Sequence, residues 1–154
     1  MISIADTLRP ERIRLALAAT TGDAAIRETA ALLRSSPEVL DWKTLLAGLL
    51  NRAPCIAEEG SDFAFCLPHT RTDAVSTMVM SIGISAAGIV FPDCEKPARY
   101  IFCIGVPKAL AADYLRIVGL LTRILKDPRN EAALRAAGSA GELIEELSEL
   151  EARL

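Results

Sequence analysis

Hydrophobic residues recur along this chain at two different periods, and each change of period marks a new element. In "RIRLAL" (residues 12–17), Ile13, Leu15 and Leu17 alternate with arginines and an alanine, which predicts an outer strand with one wet face. "GDAAIRETAALLRS" then repeats Ile26, Ala30 and Leu33 on one side. With Thr21 and Asp23 suited to a helix start, it predicts a first helix. "SPEVLDWKTLLAGLLNRAP" places Trp42, Leu45, Leu46, Leu49 and Leu50 on one helical stripe that Pro54 stops, with Arg52 ending the helix on its inward-leaning side.

Three segments follow in the other period. "DFAFCL" (62–67), "VSTMVMSIGIS" (75–85) and "RYIFCIGV" (99–106) read as strands, and the unbroken apolar run of the last predicts cover on both faces. From Leu110 onward the pattern is helical again. A first helix carries Leu110, Tyr114, Ile117, Val118, Leu121 and Leu125, and a short one follows Asn130 and stops near Gly138. A last one opens on "SAGE", where Ser139 and Glu142 have capping-box spacing. The predicted order is one strand, two helices, three or four strands and three helices. Helices bracketing a mostly apolar sheet give an α/β sandwich, and the whole of residues 1–154 reads as one domain without linker or repeat.

Composition narrows the chemistry. A net charge of −3 with 17 scattered lysines and arginines offers no basic run for a nucleic-acid backbone, so no nucleic-acid partner is expected. Ala74 to Phe91 carries no charge and approaches the length of a membrane span. Its serines, glycines and β-branched residues suit a strand and turn better. With no signal-peptide pattern at the N-terminus, the expectation is a cytoplasmic protein without membrane insertion. Cys55, Cys66, Cys94 and Cys103 lack CxxC spacing and only one histidine is present, so no metal and no cofactor is expected. "GISAAGIV" has glycines five apart, but Ile89 and Val90 stand where a nucleotide loop needs Lys and Ser or Thr. No G-x-S-x-G is present to supply a hydrolase nucleophile.

That leaves the single histidine, His69, in "FAFCLPHTRTDAV". Pro68 forces Leu67 into extended backbone and predicts the end of a strand, so His69 should emerge at a strand's C-terminal end, where α/β sheets tend to bind ligands. Taken alone, a histidine there is more often a surface or hydrogen-bonded loop residue.

The residues around it carry more. "CLPHTRTDAV", the arginine ending "LLNR", "IVF" before an acidic loop, "YIFCIGVP" and "YLRIVGLLTRILKD" together resemble the enzyme IIA domains of the fructose and mannitol class of the phosphoenolpyruvate-dependent sugar phosphotransferase system, nitrogen-regulatory relatives included. The resemblance implies a three-layer α/β/α sandwich with a central mixed sheet. It also implies a phosphoryl relay in which His69 accepts phosphate from a histidine phosphocarrier protein and passes it to a IIB domain or a regulatory target. Arg52 carries over from the family's helix-end arginine and Arg71 from its Pro-His-x-basic pattern, both able to fork onto phosphate oxygens. Their alternatives are a helix C-terminal cation and a solvated loop charge.

Two departures accompany the match. Ala53, Pro54 and "IAEEGSD" replace an acid and a Ser-Thr loop, so loop contacts to a phosphate should differ. Tyr114 stands where many relatives carry a second histidine; it is either a site residue with one hydrogen bond to give or a packed core tyrosine. The departures keep a second function open, a regulatory binding module phosphorylated slowly or not at all. Phe63, Leu67 and Val75 are expected to form a shallow apolar dish around His69.

Overall fold

A computed structural model describes residues 1–57 and 59–154. Its frame is a six-stranded mixed sheet built around one fully buried strand. The strands are β1 (Ile13–Arg14), β2 (Cys55–Ala57), β3 (Ala64–Cys66), β4 (His69–Arg71), β5 (Val79–Ile89) and β6 (Ala98–Val106). The lateral order is β1-β5-β6-β3-β2, with β4 also paired to β6. β6 is buried along its whole length, as its apolar run requires. β5 runs antiparallel to it, β3 and β4 parallel, and β1 lies at the edge parallel to β5.

The pleat sends alternate side chains to two cores. Phe65, Met80, Ile82, Tyr100, Phe102 and Ile104 face one side. There they meet Ile117, Leu121 and Ile124 of α3 (Ala111–Lys126), Leu134 of α4 (Pro128–Arg135) and Leu143, Leu147 and Leu150 of α5 (Ala140–Ala152). Cys66, Val79, Ile101 and Cys103 face the other, against Ile26 and Ala30 of α1 (Gly22–Ala31) and Leu45 and Leu49 of α2 (Trp42–Asn51). The result is the three-layer α/β/α sandwich. Caps set the helix starts: Thr21 accepts from Ala24 N–H, Asp41 from Thr44 N–H and Ser139 from Glu142 N–H. Glu142 reaches back to the N–H of Gly138 at 2.7 Å, one residue before the cap.

Several boundaries differ from the sequence pattern. The β5 strand starts four residues later than expected and runs on through Ser85 to Ile89, because Gly88, at φ 82°, absorbs a register shift as a bulge where a turn was expected. The segment Ala74–Phe91 is therefore mostly strand, and among the described residues no helix is long and apolar enough to cross a membrane. The β1 strand is only two residues long, and Arg12 ahead of it is buried, bonding Glu38 at 2.7 Å and the Thr7 carbonyl at 2.9 Å. The short helix starts at Pro128, capped by Asp127, with Asn130 inside it. Two short strands, β2 and β4, were not expected, and β4 begins at the histidine itself.

Candidate functional site

Pro68 does not end the strand, contrary to its sequence context. Cys66 pairs with Ile101 and His69 with Ile104, the same offset, so β3 and β4 are one line along β6 interrupted only at Leu67-Pro68. The Pro68 carbonyl accepts from Ile104 N–H at 2.9 Å, which keeps the line paired to β6 although proline has no N–H to give on that same side. His69 is thus held in the sheet, near the C-terminal end of β6, and half-buried.

Its ring orientation follows from one contact. Nδ1 lies 2.8 Å from the Leu67 carbonyl oxygen, which can only accept, so Nδ1 carries the hydrogen. In the neutral ring this leaves the lone pair on Nε2, the arrangement an imidazole needs to act as a nucleophile there.

Two helix ends frame the ring. The Arg52 carbonyl, just beyond α2, accepts from His69 N–H at 3.1 Å, so the two backbones are adjacent. Gly48 allows that approach: a Cβ there would stand 2.4 Å from Thr70 Oγ1. On the other side Tyr114, in the first turn of α3, sets its ring 5.1 Å from that of His69, the planes inclined by 31°. Burial pushes the Tyr114 hydroxyl up from the ordinary tyrosine range, against the pull of the Arg52 charge. It is therefore a neutral donor at neutral pH.

These groups line a cleft of about 470 Å3 together with Asn51, Thr70, Arg71, Ala111 and Leu115. Among the described residues it holds two arginines and no acidic side chain. Among the described residues neither Arg52 nor Arg71 has a carboxylate at salt-bridge distance, and both are exposed. A cleft with two unneutralised guanidinium groups, a tyrosine hydroxyl and a nucleophilic nitrogen is suited to a dianionic phosphoryl group.

The structure brings His69, Arg52, Arg71 and Tyr114 to one place; the apolar dish is composed differently from the expectation. Leu67 and Val75 are buried, and Phe63 lies at the far end of the sheet beneath Arg99, 3.5 Å from its guanidinium carbon. Apolar surface at the cleft comes from Ala111, the Tyr114 ring and Leu115, which is 69% exposed. The segment after Arg52 leads away as β2, and Glu59, Ser61 and Asp62 of "IAEEGSD" line another cleft; Glu58 is outside the described residues. Gly48, Asn51 and Thr70 were missed. Only Gly48 had a readable signal, a glycine inside an otherwise good helix stripe.

Residues 6–150 match the family described as "Phosphoenolpyruvate-dependent sugar phosphotransferase system, EIIA 2". A PTS system fructose-specific EIIA component of Haloferax volcanii is 36% identical over 121 residues, 77% of this chain and 78% of the relative. The fold is similar to that of the nitrogen regulatory protein IIA-Ntr from Neisseria meningitidis, with TM-score 0.77 and 21% identity over 94% of this chain and 98% of that one. It is also similar to the Escherichia coli enzyme IIA solved in complex with phosphorylated enzyme IIB of the mannitol system, with TM-score 0.70 and 20% identity over 92% and 97%.

Proposed function

The chain belongs to the EIIA 2 family of the phosphoenolpyruvate-dependent sugar phosphotransferase system, and from that premise we propose that His69 is its phosphoryl acceptor and donor. The observation that carries the proposal is the Nδ1–Leu67 carbonyl bond, which leaves Nε2 as the neutral ring's basic nitrogen in a cleft with two arginines that have no carboxylate partner among the described residues. Nε2 attacks the phosphorus of a phosphohistidine on a carrier protein. The new N–P bond forms as the donor's breaks, and the donor, protonated on its other ring nitrogen, leaves with the electron pair as a neutral imidazole while His69 keeps its Nδ1 hydrogen. Arg52 and Arg71 hold the equatorial oxygens, and the Tyr114 hydroxyl donates one hydrogen bond. Alignment and charge stabilisation are the main demands of this transfer, and no further acid or base is required. The reverse geometry serves delivery to a IIB domain, in the cytoplasm where such carriers act.

The test is incubation with phosphoenolpyruvate, the general phosphotransfer enzyme and the carrier, followed by intact-mass measurement at alkaline pH. One added phosphoryl group is expected, and none with ATP alone. An unmodified protein overturns the relay.

A second reading has one observation in its favour. Tyr114 cannot become cationic, so the cleft has one charge fewer than a second histidine could provide. In that reading the protein is a regulatory module whose phosphorylation is slow, and the same incubation separates the two by rate.

A further inference from the structure

Three of the four cysteines meet at the other end of the short ladder that holds Arg52 to His69. Cys55 and Cys66 are directly opposite in the antiparallel β2–β3 pair. Leu67 N–H bonds the Pro54 carbonyl at 2.8 Å, and His69 N–H bonds that of Arg52. Hydrogen-bonded pairs therefore fall at 54/67 and 52/69, and Cys55/Cys66 is a non-hydrogen-bonded pair, where opposed side chains come closest. Such pairs place Cα atoms about 4.5 Å apart, inside the span of about 4.4–6.8 Å that a disulfide accepts. Cys55 is half-buried, Cys66 fully buried, and Cys94, in the loop after β5, is half-buried and within hydrogen-bonding reach of Cys55. Cys103 stands apart, buried and bonded toward the Ile26 carbonyl.

We propose that Cys55 and Cys66 form a reversible cross-strand disulfide, with low-molecular-weight disulfides of the glutathione class as oxidant. The Cys55 thiolate attacks the small disulfide, forming a mixed disulfide and releasing one thiolate. The Cys66 thiolate then attacks the Cys55 sulfur and expels the second. Two protein thiols and one small disulfide become one protein disulfide and two small thiols. Cys55 is the attacking thiol because it is half-buried and reachable, whereas Cys66 is fully buried. The Cys66 contact, burial and the Asp93 charge push the Cys55 thiol up, so the exchange is slow. The link ties together the two segments that set Arg52 beside His69; that consequence rests on the relay reading, whereas the disulfide does not.

Peptide mapping decides it. Trypsin cuts after Arg52 and Arg71, so Cys55 and Cys66 share the peptide Ala53–Arg71 while Cys94 and Cys103 fall in others. The folded protein is held with oxidised glutathione, acid-quenched, alkylated and digested, with circular dichroism recording that it stays folded. The expected result is an Ala53–Arg71 peptide that has lost two hydrogens and takes no alkylating agent, with Cys94 and Cys103 alkylated, and recovery after dithiothreitol. C66S should instead hold glutathione on Cys55. A wild-type peptide alkylated at both cysteines, or one crosslinked to the Cys94 peptide, overturns the proposal. No phosphoryl transfer enters the experiment, so its outcome is separate from that of the relay.

Discussion

The sheet has an arginine-lined cleft at each end, nearly equal in size and opposite in what the charge does. At the N-terminal end of β6, a cleft of about 430 Å3 holds Arg99, Lys126 and Arg135 together with Glu59, Asp62 and Glu131. Arg99 is ion-paired to Glu131 and lies over the Phe63 ring; Glu131 also takes Arg135 at 2.7 Å and the Tyr100 hydroxyl at 3.4 Å. At the C-terminal end, a cleft of about 470 Å3 holds Arg52 and Arg71 with no acidic neighbour among the described residues. Size and arginine content do not separate the two. What separates them is that in one Glu131 pairs with both Arg99 and Arg135, while in the other neither arginine has a carboxylate partner among the described residues. The first arrangement ties α4 to the sheet and is costly to break, and the second is the one the relay proposal assigns to a phosphoryl group.

The contrast can be broken by substitutions at either end, taken from the largest effect down. H69A should abolish phosphorylation while leaving the melting transition within ~0.5 kcal/mol of the parent, the usual range for a position away from core packing. Residual phosphorylation at another residue would remove His69 from the relay. E131Q does the opposite. It leaves Arg99 without its carboxylate in a largely buried place and should cost about 3 kcal/mol in urea unfolding, with the phosphorylation rate of the folded protein unchanged. A slowed rate would show that the two clefts are coupled.

Smaller changes sharpen the picture at the His69 end. R52K and R71A each remove a charge-assisted fork worth roughly 1.5–3 kcal/mol, so single-turnover phosphorylation should fall by about one to two decades with the fold intact. G48A tests positioning: its new Cβ would meet Thr70 Oγ1, driving α2 off β4 at a cost of about 1–3 kcal/mol in stability. The rate should drop as Arg52 moves away. Y114F should slow phosphorylation by about 0.5–1.5 kcal/mol, one hydrogen bond's worth, and Y114H should restore or raise the rate. Indifference to both would return Tyr114 to packing alone.

The two ends also differ in how far the sequence reveals them. β6 and the capped helices were legible because burial on both faces and a side-chain oxygen at a helix start leave local marks. His69, Arg52, Arg71 and Tyr114 were legible through their motif, and the structure gathers all four around one cleft. The Arg99–Glu131 pair was not, because its partners are 32 residues apart and meet only through the packing of α4 on the sheet. The same reason hid the facing of Cys55 and Cys66, which depends on ladder register. β4 escaped notice because proline reads locally as a strand end, yet its carbonyl still takes Ile104 N–H and keeps the line paired to β6. The apolar dish failed at Phe63 because strand alternation gives a residue's face but not which end of the sheet it reaches.

The central claim is that the Leu67 carbonyl fixes the proton on Nδ1 of His69 and so directs phosphorus to Nε2. The chain has one histidine, so a long-range 1H–15N spectrum of histidine-labelled protein contains a single imidazole. Before phosphorylation it should show the Nδ1-protonated neutral tautomer. After exposure to phosphoenolpyruvate, the general phosphotransfer enzyme and the carrier, phosphorus coupling should appear at Nε2 with Nδ1 still protonated. Coupling at Nδ1, or a phosphorylated protein whose imidazole signals have not moved, would contradict the account.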